Sequence, residues 1–125
     1  TKIKATPQLI SSYAWDTALN FICQNSEYGY ELATTTSPDK ANIGTNNKIQ
    51  TGMYSEDCYS NIHDFLGNCR EWTTEYSSYT DNGYAYPCVS RGGHYIDDSN
   101  HSAYRYYITI DPSSSFLSFR ISLYV

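Results

Sequence analysis

The sequence has few basic residues and no long apolar run. Its 8 Lys and Arg stand against 13 Asp and Glu, a formal charge of -5, so it offers no basic surface for phosphate backbones. No segment approaches the ~18 consecutive apolar residues of a membrane helix. The opening TKIKATPQLI also lacks the apolar segment of a signal peptide. These features argue against nucleic acid as a partner and against membrane insertion.

Cysteine is scarce and follows no metal-binding pattern. The four cysteines form no CxxC pair and have no histidine at zinc-finger spacing, which disfavours a structural zinc site. They permit three disulfide pairings, and the sequence does not choose among these or between bridges and free thiols. The residues are Cys23, Cys58, Cys69 and Cys88.

The length of 125 residues fits a single domain over 1–125. One clear helix is predicted in SSYAWDTALNFICQN, with Ser11 or Ser12 as its cap and Asp16 near the positive end of its dipole. Its apolar residues recur at helical spacing, namely Trp15, Leu19, Ile22 and Cys23. The following stretch, 31–52, is rich in Thr, Asn, Gly and Pro and is interpreted as irregular loop.

Beyond Asn61, short strand-like pieces alternate with turns. They read CREWTTEY, a TDNG turn, PCVSRGG, AYRYYITI and FRISLYV. The last piece places apolar residues at every second position, which predicts a half-buried strand. Those residues are Phe119, Ile121, Leu123 and Val125.

Four spaced motifs carry a family resemblance: NIHDFLGNCREWT, Arg91-Gly92-Gly93, Tyr104-Arg105 and Phe119-Arg120. In this order they resemble the formylglycine-generating enzyme and sulfatase-modifying-factor family over most of the chain. The resemblance implies a C-type-lectin-like α+β fold with a small twisted antiparallel sheet, one or two helices and much ordered loop. The chain departs from the family in lacking its first strands and the usual Gly before Phe119.

The motif residues are interpreted as structural. Trp72 is expected to anchor the core, and the glycines are expected where the backbone needs positive φ or a close approach. The three motif arginines can link loops to carbonyls or to Glu71. They are Arg91, Arg105 and Arg120.

The resemblance does not carry over to catalysis. Oxidising members of the family use two cysteines between the R-G-G and Tyr-Arg motifs, whereas HYIDDSNHSA, 94–103, contains none, so the required thiolate is missing. A 2-His-carboxylate metal site is an alternative, but its spacing is not that of a helix pair. Its members would be His94, Asp97, Asp98, His101 and Asp111. We predict a protein that is not an enzyme and needs no cofactor.

The interval 94–116 contains few residue types and is called here the narrow-alphabet interval. It lacks Lys, Glu, Gln, Met and Trp, of which the other 102 residues contain 15, although about three would be expected from composition. All codons of these five end in a purine, while the main residue types present are reached from the Asn codons AAC and AAT by changing adenines. This pattern resembles the variable region of diversity-generating retroelement proteins, which share the lectin-like fold. It divides the domain into a scaffold, 1–93 and 117–125, and a variable region, 94–116.

This resemblance predicts the ligand-binding residues. The predicted variable positions are Asp97, Asp98, Asn100, His101, Tyr104, Tyr106, Tyr107, Ile108, Ile110, Asp111 and Phe116, with His94, Ile96, Ser113 and Ser115 as weaker candidates. Tyr supplies large contact area at low entropic cost, and small polar residues supply adaptable hydrogen bonds, as in antibody paratopes. The four aromatic positions from Tyr104 to Phe116 are therefore predicted to be the energetic anchors.

The predicted function is a non-catalytic ligand-binding domain for receptor or host-cell recognition. Its location would be a phage particle or bacterial surface in preference to the cytoplasm. The partner would be an unidentified protein or cell-surface ligand, and Asp97, Asp98 and Asp111 favour a cationic or hydrogen-bonding surface over a polyanion. An oligomer is compatible with the sequence. The alternatives are a structural subunit of a phage tail or bacterial surface appendage and, third, a metal-dependent or oxidising enzyme of the formylglycine-generating family.

Overall fold

The computed structural model describes residues 5–26, 29–34, 41–55, 58–96, 100–110 and 113–124. In these ranges the chain has an α+β architecture with two helices, α1 (Ser12–Asn25) and α2 (Gly29–Thr34). Its strands are short: β1 (Thr6–Leu9), β2 (Cys58–Tyr59), β3 (Ile62–His63), β4 (Arg70–Tyr76), β5 (Thr80–Asp81), β6 (Tyr84–Ala85), β7 (Cys88–Arg91), β8 (Tyr106–Ile108), β9 (Leu117–Phe119) and β10 (Ile121–Tyr124).

Helix α1 follows the predicted pattern. Ser11 is its N-cap, and the Ser11 hydroxyl accepts a hydrogen bond from the Ala14 N–H at 3.0 Å. Trp15, Leu19 and Ile22 are buried along one stripe, with Cys23 half-buried beside them. The interpretation of Asp16 as a dipole partner was wrong, because the first turn contains no acidic residue and Asp16 instead binds two arginines.

The central sheet has the strand order β8-β7-β4-β9. Strand β4 pairs antiparallel with β7, where Glu71 lies opposite Arg91 and Trp72 opposite Ser90. It pairs parallel with β9, so the sheet is mixed, and the expected antiparallel pairing is found for β4-β7 and β7-β8 but not for β4-β9. The remaining strands form two-stranded pairs, β1-β10, β2-β3 and β5-β6.

The core lies around α1 and contains Trp15, whose ring stacks on Phe65 at 4.2 Å between centroids. Trp72 is only half-buried, so its prediction as a core anchor was wrong and Trp15 fills that role. Gly92 has φ 93, and a Cβ there would lie 3.2 Å from the Trp15 ring. The Arg-Gly-Gly motif therefore requires glycine at this position for both backbone conformation and space.

Two other segments differ from the sequence prediction. Residues Glu31–Thr34 of the predicted loop belong to α2, while 35–40 lie outside the described residues and 41–52 contain neither helix nor strand. The predicted half-buried terminal strand is exposed: Phe119, Ile121 and Leu123 expose 65%, 57% and 67% of their surface. Ile121 and Leu123 are exposed because β10 pairs with β1 in a separate two-stranded sheet. Phe119 belongs instead to β9 of the central sheet, and Val125 lies outside the described residues.

The predicted TDNG turn is confirmed. Asn82 and Gly83 both have positive φ, 49 and 82, as expected for the two central residues of a tight hairpin turn. The turn joins β5 to β6, which pair antiparallel. The backbone N–H of Tyr86 donates to the Tyr79 carbonyl at 2.9 Å at the base of this hairpin.

Candidate functional site: a tyrosine groove

An ion-pair network fixes one part of the segment 94–116 to the body of the domain. The Asp16 carboxylate on α1 accepts hydrogen bonds from Arg91 on β7 and from Arg105, the latter at 2.6 Å. The Nε of Arg105 also lies 3.1 Å from both carboxylate oxygens of Glu75 on β4. Burial alone would raise the pKa of Asp16, but the two guanidinium groups outweigh it and hold that pKa below its usual value.

A second ion pair joins Arg120 to the Glu71 carboxylate. The Arg120 guanidinium donates to both Glu71 oxygens, at 2.8 and 2.9 Å, and to the His63 carbonyl at 2.8 Å. Burial raises the pKa of Glu71 because the lost hydration outweighs the favourable charge of Arg120. The prediction that the motif arginines link loops to carbonyls or to Glu71 is confirmed for Arg120. It was wrong for the partners of the other two, since Arg91 binds Asp16, and Arg105 binds Asp16 and Glu75.

Several polar residues between 94 and 116 lie inside the molecule. Ser102 is fully buried; its hydroxyl donates to the Leu32 carbonyl at 2.6 Å, and its carbonyl accepts from the Trp15 indole at 2.9 Å. Asn100 and His94 are also buried. Because these side chains are enclosed, they do not contribute to an open surface in this structure.

The tyrosines at 104, 106 and 107 come together on the surface. They line an open groove of about 410 Å³ with three residues from outside the predicted variable region. The full lining, called here the tyrosine groove, is Tyr79, Asp81, Tyr86, Tyr104, Tyr106 and Tyr107. The exposed fractions of the three predicted residues are 44%, 37% and 39% in chain order, so each ring packs on the body and still faces solvent.

The β5-β6 hairpin supplies the second wall of the tyrosine groove. The Tyr79 ring stacks on Tyr107, with 5.2 Å between centroids and 24° between planes. It also lies 5.7 Å from the tilted Tyr86 ring. These contacts connect a hairpin of the predicted scaffold to an edge strand of the predicted variable region, β8.

A cation already lies on one ring of the tyrosine groove. The Arg70 guanidinium carbon is 3.6 Å from the centroid of the Tyr106 ring, well within the range of a cation–π interaction. Arg70 itself is buried. The contact therefore sets the position of Tyr106 and covers one face of its ring.

The other predicted positions do not join the tyrosine groove. His101 is half-buried with its ring 6.2 Å from Tyr104, and Ile108 is half-buried in β8. Phe116 is half-buried and stacks on His94 at 4.6 Å. The exposed remainder comprises Ile110 and the weaker candidates Ile96, Ser113 and Ser115; Asp97, Asp98 and Asp111 lie outside the described residues.

Sequence reasoning missed Tyr79, Asp81 and Tyr86 because they lie outside the narrow-alphabet interval. A signal was present in YTDNGYAY, where tyrosines flank an Asn-Gly turn. Side chains on both sides of a short hairpin cannot all be buried, so such tyrosines are candidates for a surface site.

An alternative site is a cavity of about 450 Å³ beside β4 and β9. Four of its polar residues pair with one another: Glu71 with Arg120, and Asp64 with the Asn68 amide at 3.2 Å. Burial raises the pKa of Cys69, which also lines this cavity. This arrangement stabilises the structural motif, and the side chains of Lys48, Thr51 and Asn61 also line the cavity.

The described residues contain no group of three or more His, Cys, Asp or Glu side chains placed to hold a metal ion. All four cysteines are free thiols. Within the part of the chain that the structure describes, no helix has the length and apolar character needed to cross a membrane.

Comparison with known proteins gives a structural likeness without a sequence family. No protein-family model matches the sequence, and no curated protein is significantly similar to it. The crystal structure of CarF is similar, with a TM-score of 0.66, 18% sequence identity and coverage of 92% of this chain. The chain spans 46% of the CarF chain, and at this identity the likeness concerns the fold alone.

Proposed function

We propose that the protein is a non-catalytic binding domain that recognises a protein or cell-surface ligand through the tyrosine groove. The observation that carries the proposal is the meeting of Tyr104, Tyr106 and Tyr107 with the β5-β6 hairpin around an open groove. Tyrosines that combine a packed base with a solvent-facing ring are suited to recognition, because little side-chain entropy is lost when a ligand covers them. Rings of this kind commonly supply most of the energy of an interface.

The proposal also concerns how the sequence of this binding surface is generated. We propose a C-type-lectin-like domain of the formylglycine-generating type in which 94–116 is diversified by a retroelement, displayed on a phage particle or bacterial surface. In support, the α+β arrangement and the motif arginines provide a framework whose ion pairs include none of the groove side chains. Ser102 and Arg105, which hold the segment in place, are absent from the set of predicted variable positions.

Sequencing this gene and its flanking DNA from many sibling isolates tests the diversification. We expect substitutions to concentrate at the codons for 104, 106 and 107 and to spare Ser102, Arg105 and the β5-β6 hairpin. An adenine-matched repeat and a reverse transcriptase gene should lie nearby. Substitutions scattered evenly along the chain would contradict the proposal.

Stability measurements test whether the groove tyrosines are surface residues. Replacing Tyr106 and Tyr107 together by Ala should lower the free energy of unfolding by no more than about 2 kcal/mol, because both rings are partly exposed. Urea unfolding of the double variant gives this value. A loss of several kcal/mol would mean that the rings belong to the core and that the site is misassigned.

A second candidate function, an assembly subunit, is favoured by an apolar face at the β1-β10 pair. Leu9 lies opposite Ile121, and Pro7 opposite Leu123, so these four share one face of the pair. The face is exposed and continues into Phe119. Solution mass discriminates between the two functions: a stable oligomer that an Ile121→Lys substitution dissociates would favour assembly, whereas a monomer would favour display of the groove.

A further inference from the structure

We infer that the tyrosine groove accepts a cationic side chain of a partner protein, arginine in preference to lysine. The inference rests on the proposed function, since it takes the groove to be the binding site and specifies the chemistry of its ligand. It depends on three properties of the groove: its ring faces, its single carboxylate and the guanidinium group already bound at one ring.

The six lining residues comprise five tyrosines and Asp81, with no cationic side chain among them. Aromatic ring faces carry negative electrostatic potential and attract a cation placed within about 6 Å of the ring centroid. The Asp81 carboxylate adds a full negative charge and forms no ion pair within the described ranges of the chain. Rings and carboxylate together favour a positive ligand group over a neutral or negative one.

The protein itself provides an example of the proposed contact. Arg70 places its guanidinium group over Tyr106 at 3.6 Å, an intramolecular contact between a planar cation and a ring of this groove. Because that face of Tyr106 is occupied, we place the ligand's cation on the hairpin side, beside Tyr79, Asp81 and Tyr86. A planar guanidinium stacks on such rings and can also donate to the carboxylate, whereas an ammonium does this less well.

The net charge of the chain supports the same ligand class. With a formal charge of -5, the domain attracts a basic partner surface during diffusional encounter and repels an acidic one. The Arg91 and Arg105 charges are already matched by Asp16 and Glu75. Tighter binding at low salt is therefore expected for a basic ligand.

The test uses arginine amide and citrulline amide, which have similar size and shape and the same α-amino group, but only arginine amide has a charged side chain. Ring signals of Tyr79 and Tyr86 are followed by NMR during titration of the full chain with each compound. We expect arginine amide to give saturable shifts and to bind roughly two- to fivefold more tightly than citrulline amide, the range expected for an exposed cation–π contact. Equal binding of both compounds, or binding of neither, would overturn the inference.

A matched pair of variants separates the groove carboxylate from the overall charge. Asp81→Asn and Glu31→Gln each remove one negative charge, but Glu31 lies on α2 and does not line the groove. Asp81→Asn should weaken arginine amide binding at least about threefold, and Glu31→Gln should leave it unchanged. Equal effects of the two variants would overturn the inference.

Failure of this inference can be distinguished from failure of the proposed function. If the groove tyrosines tolerate replacement and vary among isolates while arginine and citrulline amides bind alike, the binding function stands and the ligand class is wrong. If Tyr106 and Tyr107 prove essential to folding, the site itself is wrong, and the inference is overturned with it.

Discussion

Neighbouring positions of one segment occupy opposite environments in this protein. Ser102 is fully buried and Arg105 is held by two carboxylates, whereas Tyr104 and Tyr106 project into the tyrosine groove. The difference shows how a chain can be anchored at a few positions and leave adjacent positions open to change. Anchoring depends on hydrogen bonds and charge pairs of fixed geometry, while the open positions require only that a side chain fit at the surface.

The largest effect is expected at the anchor Arg91, whose side chain is fully enclosed and packs near Trp15. Arg91→Ala should reduce the free energy of unfolding by about 3 kcal/mol or more, because it removes both a charge pair and a large buried volume. Urea unfolding measures the loss. If Arg91→Ala lowers the free energy of unfolding no more than the Tyr106 and Tyr107 double variant does, residues that hold the segment in place are not distinguished from groove residues by their effect on stability.

Two serines of the segment 94–116 provide a sharper comparison, and the expected loss of stability is of intermediate size. Ser102→Ala removes a buried donor to the Leu32 carbonyl and should cost about 1–3 kcal/mol. Ser113 is exposed, and Ser113→Ala should change the free energy of unfolding by less than about 0.5 kcal/mol. If thermal or urea unfolding shows the same loss of stability for the two variants, burial does not distinguish the residues that hold this segment from those that can be replaced.

The smallest expected effect is the acid dependence of the Asp16 network. The pKa of Asp16 is lowered in the folded state, so its stabilising contribution is present above the unfolded pKa of about 4 and is lost as pH falls through the folded pKa. The difference in unfolding free energy between the wild type and Asp16→Asn should therefore shrink between pH 7 and pH 3. A difference that is the same at both pH values would contradict this account of the network.

Local features of the chain were predictable from the sequence. Helix α1 and its Ser11 cap depend on the spacing of Trp15, Leu19 and Ile22, and the β5-β6 turn depends on Asn82-Gly83. Each requires only residues close in sequence, where period, capping and turn chemistry act directly. Four predicted pieces contain β4, β7, β8 and β10, whereas β1, β2 and β3 were not predicted and neither were the strand partners.

Predictions were less successful where they depended on which other element a strand packs against or pairs with. Trp72 was expected in the core, but it lies half-buried on β4 while Trp15 fills the interior. The alternation in β10 predicted one buried face, but pairing with β1 alone leaves Ile121 and Leu123 exposed. A strand pattern shows which side chains share a face and does not show whether another layer covers that face.

By itself, the sequence determined the α+β character, helix α1, the turn of the hairpin and the linking role of Arg120. Tertiary structure alone decided which tyrosines meet, because Tyr79 and Tyr107 are brought into contact only when the β5-β6 hairpin packs beside β8. It also decided that Ser102 is enclosed while Tyr104 is open. The physical reason is that local sequence sets backbone conformation through short-range sterics and hydrogen bonds, whereas burial and side-chain contact depend on elements that are distant along the chain.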